Sequence, residues 1–248
     1  MSARERRYSS EIGPEDPMIS GLMRMMHAPI YRSRVRALVD AIVPHLNEGE
    51  RVLDVGCGGG GLGAAILADP RTPAGVRVEG VERAVRGGEP IPVIGYQGGR
   101  IPLEDGEADV VILADVLHHE EDERTLLVEC LRVCGRLLVI KDHVVQGPVA
   151  QQRISLIDWA ANTGYGVPCL FRYKTPEAWR SLREELELGV VEERLGMRLY
   201  PPGFEQLFGG GLQYFAALRV GAGPGSGATG EPGLPSTAAA PHTEPGTA

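Results

Sequence analysis

The chain has 248 residues, of which 43% are hydrophobic, and its formal net charge is −8 at neutral pH. This length corresponds to one domain, or to one domain with an appendage. The acidic balance argues against a nucleic-acid-binding surface, which needs clustered Lys and Arg to displace counterions.

The two ends of the chain differ in composition from its centre. Residues 1–17 have charges but no apolar stretch, so they predict a flexible segment without a secretory signal. Residues 221–248 are mostly Gly, Pro, Ala, Ser and Thr, which predicts a disordered tail typical of a high-GC bacterial gene. No apolar run reaches the roughly 18 residues of a membrane span. We expect a cytoplasmic protein without a membrane partner, folded over residues 18–220.

Strand-like and helix-like patterns alternate along the central region. Residues 18–46 predict a helical region broken at Pro29. Short apolar runs then predict strands at 51–55, 76–82, 91–96, 108–117, 136–143, 190–200 and 212–220. Helices are predicted at 61–70, 121–135, 149–161 and 175–189. The second of these is expected to end at Gly135, and the fourth to begin with Thr175 as N-cap and to end at Gly189.

This alternation predicts an α/β fold with a Rossmann-like, seven-stranded, mostly parallel sheet and helices on both faces. The last two predicted strands have no helix between them, so the last strand is expected to be antiparallel. The segment at about 144–174 is extra to the minimal sheet and predicts a small lid insertion. Its side chains Trp159, Asn162, Tyr165 and Phe171 are either lid contacts for a ligand or core residues of a helix packed on the sheet.

The turn after the first strand, "DVGCGGGG", is the clearest ligand-binding signal in the sequence. Gly56, Gly58 and Gly61 fit the pattern G-x-G-x-x-G, which alone is a weak sign of dinucleotide binding. Asp54 precedes these glycines, and a carboxylate there repels a pyrophosphate and suits a cation. Glu82 ends the second strand, where an acid can accept both ribose hydroxyls. A nucleoside with positive groups and no phosphate fits this pattern, as S-adenosylmethionine does.

The same residues resemble a known family. "VLDVGCGGG" is similar to motif I of the class I S-adenosylmethionine-dependent methyltransferases, and "IPLEDGEADVVILADVLHHEED" resembles the segment after the third strand in the methyltransferase type 11-like subfamily. The resemblance covers residues 50–140 clearly and 175–220 loosely. It implies methyl transfer from S-adenosyl-L-methionine but says little about the substrate. The predicted lid suits a small-molecule acceptor, which would be methylated on an oxygen, nitrogen or carbon.

The resemblance also implies roles for individual residues. The methionine end of the cofactor would lie against Asp54, Gly56 and Gly58, with Cys57 between them, and Glu82 would hold the ribose.

Two further contacts of the cofactor follow from the resemblance. Gln97, with Gly98, would meet the adenine, although the family often has Asp at this position. Asp115, at the end of the fourth strand, would lie beside the cofactor's amine or sulfonium.

The candidate catalytic residues are histidines. His143 is the first candidate for a general base and His118 the second, because neutral imidazole accepts protons near pH 7. In the alternative interpretation, Asp142 holds His143 as a loop cap. Since His118 and His119 end the fourth predicted strand, at most one should face the cleft.

No metal is expected, because Cys130 and Cys134 lie beyond a helix and are interpreted as core thiols.

Other interpretations remain open. A methyltransferase-like protein could bind the cofactor and transfer nothing, and a nicotinamide oxidoreductase could share the glycine pattern. Arg34 could pair with the cofactor carboxylate or an acidic acceptor, or form a surface salt bridge. The sequence does not predict the identity of the acceptor or the oligomeric state.

Overall fold

The computed structural model describes residues 31–162, 170–200, 203–209 and 211–221. Its strands are β1 (Arg51–Val55), β2 (Arg77–Glu82), β3 (Val93–Gly95), β4 (Ala108–Ala114), β5 (Cys134–His143), β6 (Gly189–Leu195) and β7 (Gln213–Arg219). Its helices are α1 (residues 31–42 of the described chain), α2 (Gly61–Ala68), α3 (Glu123–Val133), α4 (Pro148–Asn162) and α5 (Pro176–Glu185).

All seven strands form one sheet with the order β3-β2-β1-β4-β5-β7-β6. Strands β1 to β5 pair in parallel, and β7 is antiparallel to both of its neighbours, β5 and β6. The predicted Rossmann-like sheet with an antiparallel last strand is therefore confirmed. The carboxyl ends of β1, β2, β4 and β5 meet at one edge, where open α/β sheets bind ligands.

The central strands are apolar on both faces, and each face packs against helices. In β4, Val111 and Leu113 pack with α3 and α5 in one core, whereas Val110 and Ile112 pack with α1 and α2 in the other. Strand residues alternate between faces, so a parallel strand covered on both sides must be apolar throughout. The predicted helices on both faces of the sheet are confirmed.

Two helix ends differ from the prediction. Helix α3 passes directly into β5 at Cys134, and Gly135 lies inside the strand, where a Cβ would meet the Gly106 carbonyl oxygen at 3.0 Å. This glycine permits close packing and is not a helix stop. Helix α5 ends at Glu185, because Glu187 adopts a left-handed φ of 52° and Leu188 N donates to the Arg183 carbonyl. Gly189 instead begins β6.

Other local predictions are confirmed. The Thr175 side chain caps α5 by accepting from Ala178 N at 3.2 Å. Cys130 and Cys134 are free and buried, as core thiols are. Helix α4 lies within the predicted insertion.

Several expectations concern residues that the structure does not describe. The segments 1–17 and 222–248 lie outside the described residues, as does Tyr165. The side chains of Trp159 and Asn162 are outside them too. Within the described residues, none of the helices has both the length and the apolarity to cross a membrane.

Candidate active site

The turn after β1 is built from glycines in the left-handed conformation. Gly56, Gly58 and Gly60 have φ angles of 69°, 56° and 71°. Glycine adopts this region without strain because it has no Cβ. At Gly56 a Cβ would also lie 2.8 Å from Cγ2 of Val116, so the turn packs directly against the segment after β4.

Three backbone donors at the start of this turn are used inside the protein. Gly56 N and Cys57 N donate to the Val81 carbonyl at 2.9 and 3.3 Å, and Gly58 N donates to Oε2 of Glu82 at 2.7 Å. A pyrophosphate site needs such N–H groups free and pointing at the ligand. The N–H groups of Gly56, Cys57 and Gly58 are therefore not free to bind a phosphate.

Glu82 is held in a fixed position at the carboxyl end of β2. Its Oε1 accepts from Arg83 N at 2.8 Å and from Ala84 N at 3.1 Å, while Oε2 accepts from Gly58 N. A carboxylate offers about four lone-pair positions, so these three bonds leave room for a further hydroxyl donor. The structure thus places Glu82 beside the glycine turn, where the sequence predicts a ribose ligand.

Asp54 lies beneath the turn and is almost completely buried. Burial and the nearby Glu82 raise its pKa to about 7, although Arg34 acts in the opposite direction. Burial also raises the pKa of the Cys57 thiol to about 12, so this thiol is neutral at physiological pH. A cation bound above Asp54 would favour its ionised form.

A cleft of about 360 Å³ opens above these residues. Its lining includes Tyr31 and Arg34 from α1, Asp54 from β1, and the glycine turn. The residues present fit S-adenosylmethionine, because the carboxylates of Asp54 and Glu82 lie beside a turn whose first three N–H groups are bonded within the protein. This fit concerns charge and hydrogen-bonding capacity.

Gln97 lies near the turn that follows β2. Its Nε2 donates to the Arg83 carbonyl at 3.1 Å, and the side chain is exposed. Gly98 is left-handed, with a φ of 91°. These two residues therefore lie at the rim next to Glu82, and their contact with adenine stays a prediction.

Asp115 directly follows β4 and is bound by two cations. Arg34 of α1 and Lys141 of β5 both form ion pairs with its carboxylate. Burial alone would raise the pKa of Asp115, but Arg34 and Lys141 outweigh it and hold this pKa well below its usual range. Arg34 is thus partly buried at the cleft, and the expectation of a surface salt bridge was wrong.

His118 is positioned by Asp142. Its Nδ1 lies 2.7 Å from Oδ1 of Asp142, and both side chains are buried. His118 and His119 occupy the short 3₁₀ helix Leu117–His119, because β4 already ends at Ala114. Their rings lie 3.9 Å apart between centroids, so the expectation that neighbouring histidines point to opposite faces of a strand was wrong.

His143 ends β5 and faces the same group of side chains. Its ring lies 4.7 Å from that of His118, and its Nε2 lies 3.7 Å from Oδ1 of Asp115. Burial, with Lys141 nearby, lowers the pKa of His143 to about 4. Asp142 accepts from the backbone N of His143 at 2.6 Å, but its side-chain bond is to His118. Asp142 therefore holds His143 through its backbone, as the loop-cap interpretation expects, and its imidazole partner is His118.

Sequence reasoning missed two features of this site. Tyr173 lies 5.8 Å from the His118 ring and 5.6 Å from the His143 ring, whereas the predicted lid residue Phe171 is exposed. The expectation of no metal considered Cys130 and Cys134 as partners for the histidines, whereas the structure brings Asp115 and Asp142 next to them. The adjacent letters Lys141 to His143 were the one signal that pointed to this cluster.

Comparison with known proteins agrees with the fold. Residues 53–136 match the family model described as a methyltransferase domain. The chain is 33% identical over 98 residues to the ubiquinone biosynthesis O-methyltransferase of Maricaulis maris (strain MCS10), covering 35% of this chain and 37% of that protein. The chain spans 37–41% of the length of the curated relatives it matches.

Solved structures extend the likeness to most of the described chain. The 1,6-didemethyltoxoflavin-N1-methyltransferase of Burkholderia thailandensis, with bound S-adenosylhomocysteine, superposes with a TM-score of 0.54 at 16% identity, covering 84% of this chain and 92% of that one. A chain from the complex between the Haloferax volcanii Trm112 methyltransferase activator and a methyltransferase superposes with a TM-score of 0.57 at 14% identity. This match covers 81% of this chain and 94% of that one. Residues 53–136 are thus similar to a methyltransferase domain, and the chain has the fold of solved methyltransferases.

Proposed function

We propose that this chain transfers a methyl group from S-adenosylmethionine to an oxygen, nitrogen or carbon of a small-molecule acceptor. The observation that carries the proposal is the position of Asp54 and Glu82 at a glycine turn in which the N–H groups of Gly56, Cys57 and Gly58 are bonded within the protein. This arrangement favours a cationic nucleoside and disfavours a phosphate. Bound S-adenosylmethionine supplies an electrophilic methyl group on a positively charged sulfur, which leaves as a neutral thioether.

In this proposal, the residues around the cleft contact three parts of the cofactor. Asp54 and the turn Gly56–Gly58, which includes Cys57, hold the methionine end of the cofactor, and Glu82 accepts from its ribose hydroxyls. Gln97 and Gly98 border the adenine. These residues bind and orient the cofactor, which places its methyl group toward the carboxyl ends of β4 and β5.

Asp115 connects the cleft to the group of histidines. Arg34 lines the cleft and binds Asp115, which also binds Lys141 and lies 3.7 Å from His143. Since both cations compete for its carboxylate, Asp115 can bind the cofactor's amine only if Arg34 or Lys141 moves aside. We place the acceptor on the far side of this carboxylate.

Transfer to an oxygen or nitrogen removes one proton from the acceptor. His118 and His143 are the candidate proton acceptors, and the geometry favours His118. Asp142 fixes the His118 ring through Nδ1 and stabilises a positive charge on it, as a buried carboxylate does for a catalytic imidazole. The His143 ring has no such carboxylate bonded to it.

The insertion supports a compact acceptor. Ile154 of α4 packs with Val145 and Leu212 in a buried cluster at the ends of β5 and β7. The helix therefore lies beside the histidines, where it can limit the space for an acceptor and exclude water.

Cofactor affinity is expected to increase with pH. The pKa of Asp54 is about 7 in the free protein, so Asp54 is mostly neutral at pH 6 and mostly ionised at pH 8. A cationic ligand prefers the ionised form, so its Kd should fall by up to about tenfold between these pH values. Isothermal titration with S-adenosylmethionine measures this change. The titratable and charged groups that face Asp54 are Glu82, Cys57 and Arg34. Among variants of these residues, only Asp54→Asn should make the Kd independent of pH.

The enzymatic proposal is tested by methyl transfer itself. Purified protein is incubated with methyl-labelled S-adenosylmethionine and a pool of phenols, amines and nitrogen heterocycles, and labelled products are separated. We expect one class of acceptor to be labelled. Cofactor binding without any labelled product would favour a methyltransferase-like protein that transfers nothing, and binding of NAD in place of S-adenosylmethionine would contradict the site assignment.

A further inference from the structure

Four potential ligands converge where β4 and β5 end. Asp115 follows β4, His118 lies in the 3₁₀ helix after it, and Asp142 and His143 end β5. One ligand atom from each of these side chains lies within 4.8 Å of the others. These side chains come from three separate segments of the chain, which the folded sheet brings together.

Two atoms of this cluster lack the partner that buried polar atoms normally have. Oδ2 of Asp142 and Nδ1 of His143 each expose less than 1 Å² to solvent and have no hydrogen-bond partner among the residues that the structure describes. Asp142 as a whole is 2% exposed. A buried carboxylate oxygen without a partner is costly, and each such group needs an explanation. Water does not reach these atoms, whereas a bare ion bonded at about 2.1 Å is small enough to lie among them.

We infer that Asp115, His118, Asp142 and His143 form a binding site for a divalent first-row transition ion such as Zn²⁺. Two imidazoles and two carboxylates are a ligand set that suits this class of ion. Mg²⁺ and Ca²⁺ prefer oxygen ligands only, so the histidines argue against them. The inference rests on the proposed function, because it assigns an ion to the acceptor side of the same site.

Lys141 is the main competitor for the ion. Its ammonium binds Asp115 at Oδ1, and Arg34 binds the other oxygen of that carboxylate. An ion therefore has to displace Lys141 to gain Asp115 as a ligand. Asp142 and the two histidines provide the remaining contacts without such competition from Lys141.

The ion also specifies the acceptor. A bound divalent ion lowers the pKa of a coordinated hydroxyl, so the acceptor is a hydroxyl compound such as a phenol. Its proton leaves to solvent when it binds, the oxygen anion forms the new bond to the methyl carbon, and the carbon–sulfur bond breaks to give a neutral thioether. With an ion present, the histidine nitrogens are ligands and no longer proton acceptors.

Metal binding is measured directly, without an acceptor. The full chain is treated with a chelator, dialysed against Zn²⁺ or Co²⁺, and assayed for bound metal and for the visible absorption of Co²⁺. We expect one ion per chain, with affinity lower by roughly ten- to a hundredfold in Asp142→Asn and in His118→Ala. Lys141→Met should instead raise the affinity, because it frees an oxygen of Asp115.

The matched control is His45→Ala. His45 and Glu192 form a His–carboxylate pair at 2.7 Å elsewhere on the protein, so this variant reports adventitious binding. Absence of bound metal in the wild type overturns the inference, and so does a loss in His45→Ala as large as that in Asp142→Asn. If Asp142→Asn does not fold, the increase in metal affinity expected for Lys141→Met still tests the inference. A Lys141→Met variant without this increase would contradict the assignment of Asp115 as a ligand.

The two proposals fail in different ways. Cofactor binding is titrated in the same preparations. If chelated protein binds S-adenosylmethionine and methylates acceptors at the undiminished rate, the metal site is wrong and the proposed function stands. If the protein binds the ion but not S-adenosylmethionine, the proposed function is wrong and the metal site stands.

Discussion

Asp115→Ala is expected to lower the free energy of unfolding by about 3–5 kcal/mol, because it leaves a buried cation without its partner. Lys141 is 1% exposed, and its ammonium binds Asp115. Burial already lowers the pKa of Lys141, and the Asp115 carboxylate is the main group that opposes this effect. Urea denaturation followed by circular dichroism measures the change, provided that the m-value stays constant.

The double variant Asp115→Ala/Lys141→Met tests the reason for this loss. Methionine has a similar volume and no charge, so the double variant should recover most of the lost stability. Glu192→Ala provides the control, because Glu192 forms ion pairs with His45 and Arg194 that are partly exposed. That change should cost less than about 1 kcal/mol. Equal losses in Asp115→Ala and in the double variant would show that the ammonium is not the cause.

The second large effect is on cofactor affinity. Asp54→Ala and Glu82→Ala should each weaken S-adenosylmethionine binding roughly tenfold to a hundredfold, because hydrogen bonds and ion pairs to charged groups contribute about 1.5–3 kcal/mol. Combined, the two changes should bring binding below detection in isothermal titration. Glu82→Ala also removes the acceptor for Gly58 N, which loosens the turn itself.

Glu79→Ala is the matched control for these acids. Glu79 lies on the same strand, β2, but binds Arg51 at the other end of β1. Its loss should leave cofactor affinity within about twofold of the wild type, as a change outside the site does. Retained affinity in both Asp54→Ala and Glu82→Ala would contradict the assignment of the cleft.

Much of the fold follows from local patterns. The apolar run Val110–Leu113 predicts a buried strand, because a parallel strand covered on both faces has no polar side. The sequence has no helical pattern between the last two strands, which predicts their antiparallel pairing. The described part of this connection contains a short π-helix, Glu205–Gly209. Boundaries were less certain: β4 ends at Ala114 and not at Leu117, because Asp115 adopts a left-handed φ of 59° and turns the chain.

The proposed cofactor side of the site follows from the sequence, whereas the contacts of the proposed acceptor side do not. Asp54, the glycines and Glu82 lie at the ends of adjacent predicted strands, and parallel strands bring such ends together. The ion pairs of Asp115 with Arg34 and Lys141, and the contact of Asp142 with His118, join residues 24 to 81 positions apart.

Those acceptor-side contacts depend on the register of β4 with β5, in which Ala114 pairs with Lys141, and on the turn at Asp115. Neither property is encoded in a short motif, because register and backbone strain result from the packing of the whole sheet. The amino-acid sequence alone therefore predicts the order of the elements and the glycine turn between two acids. Only the assembled sheet decided which charged side chains meet, since that depends on how far each strand extends before it turns.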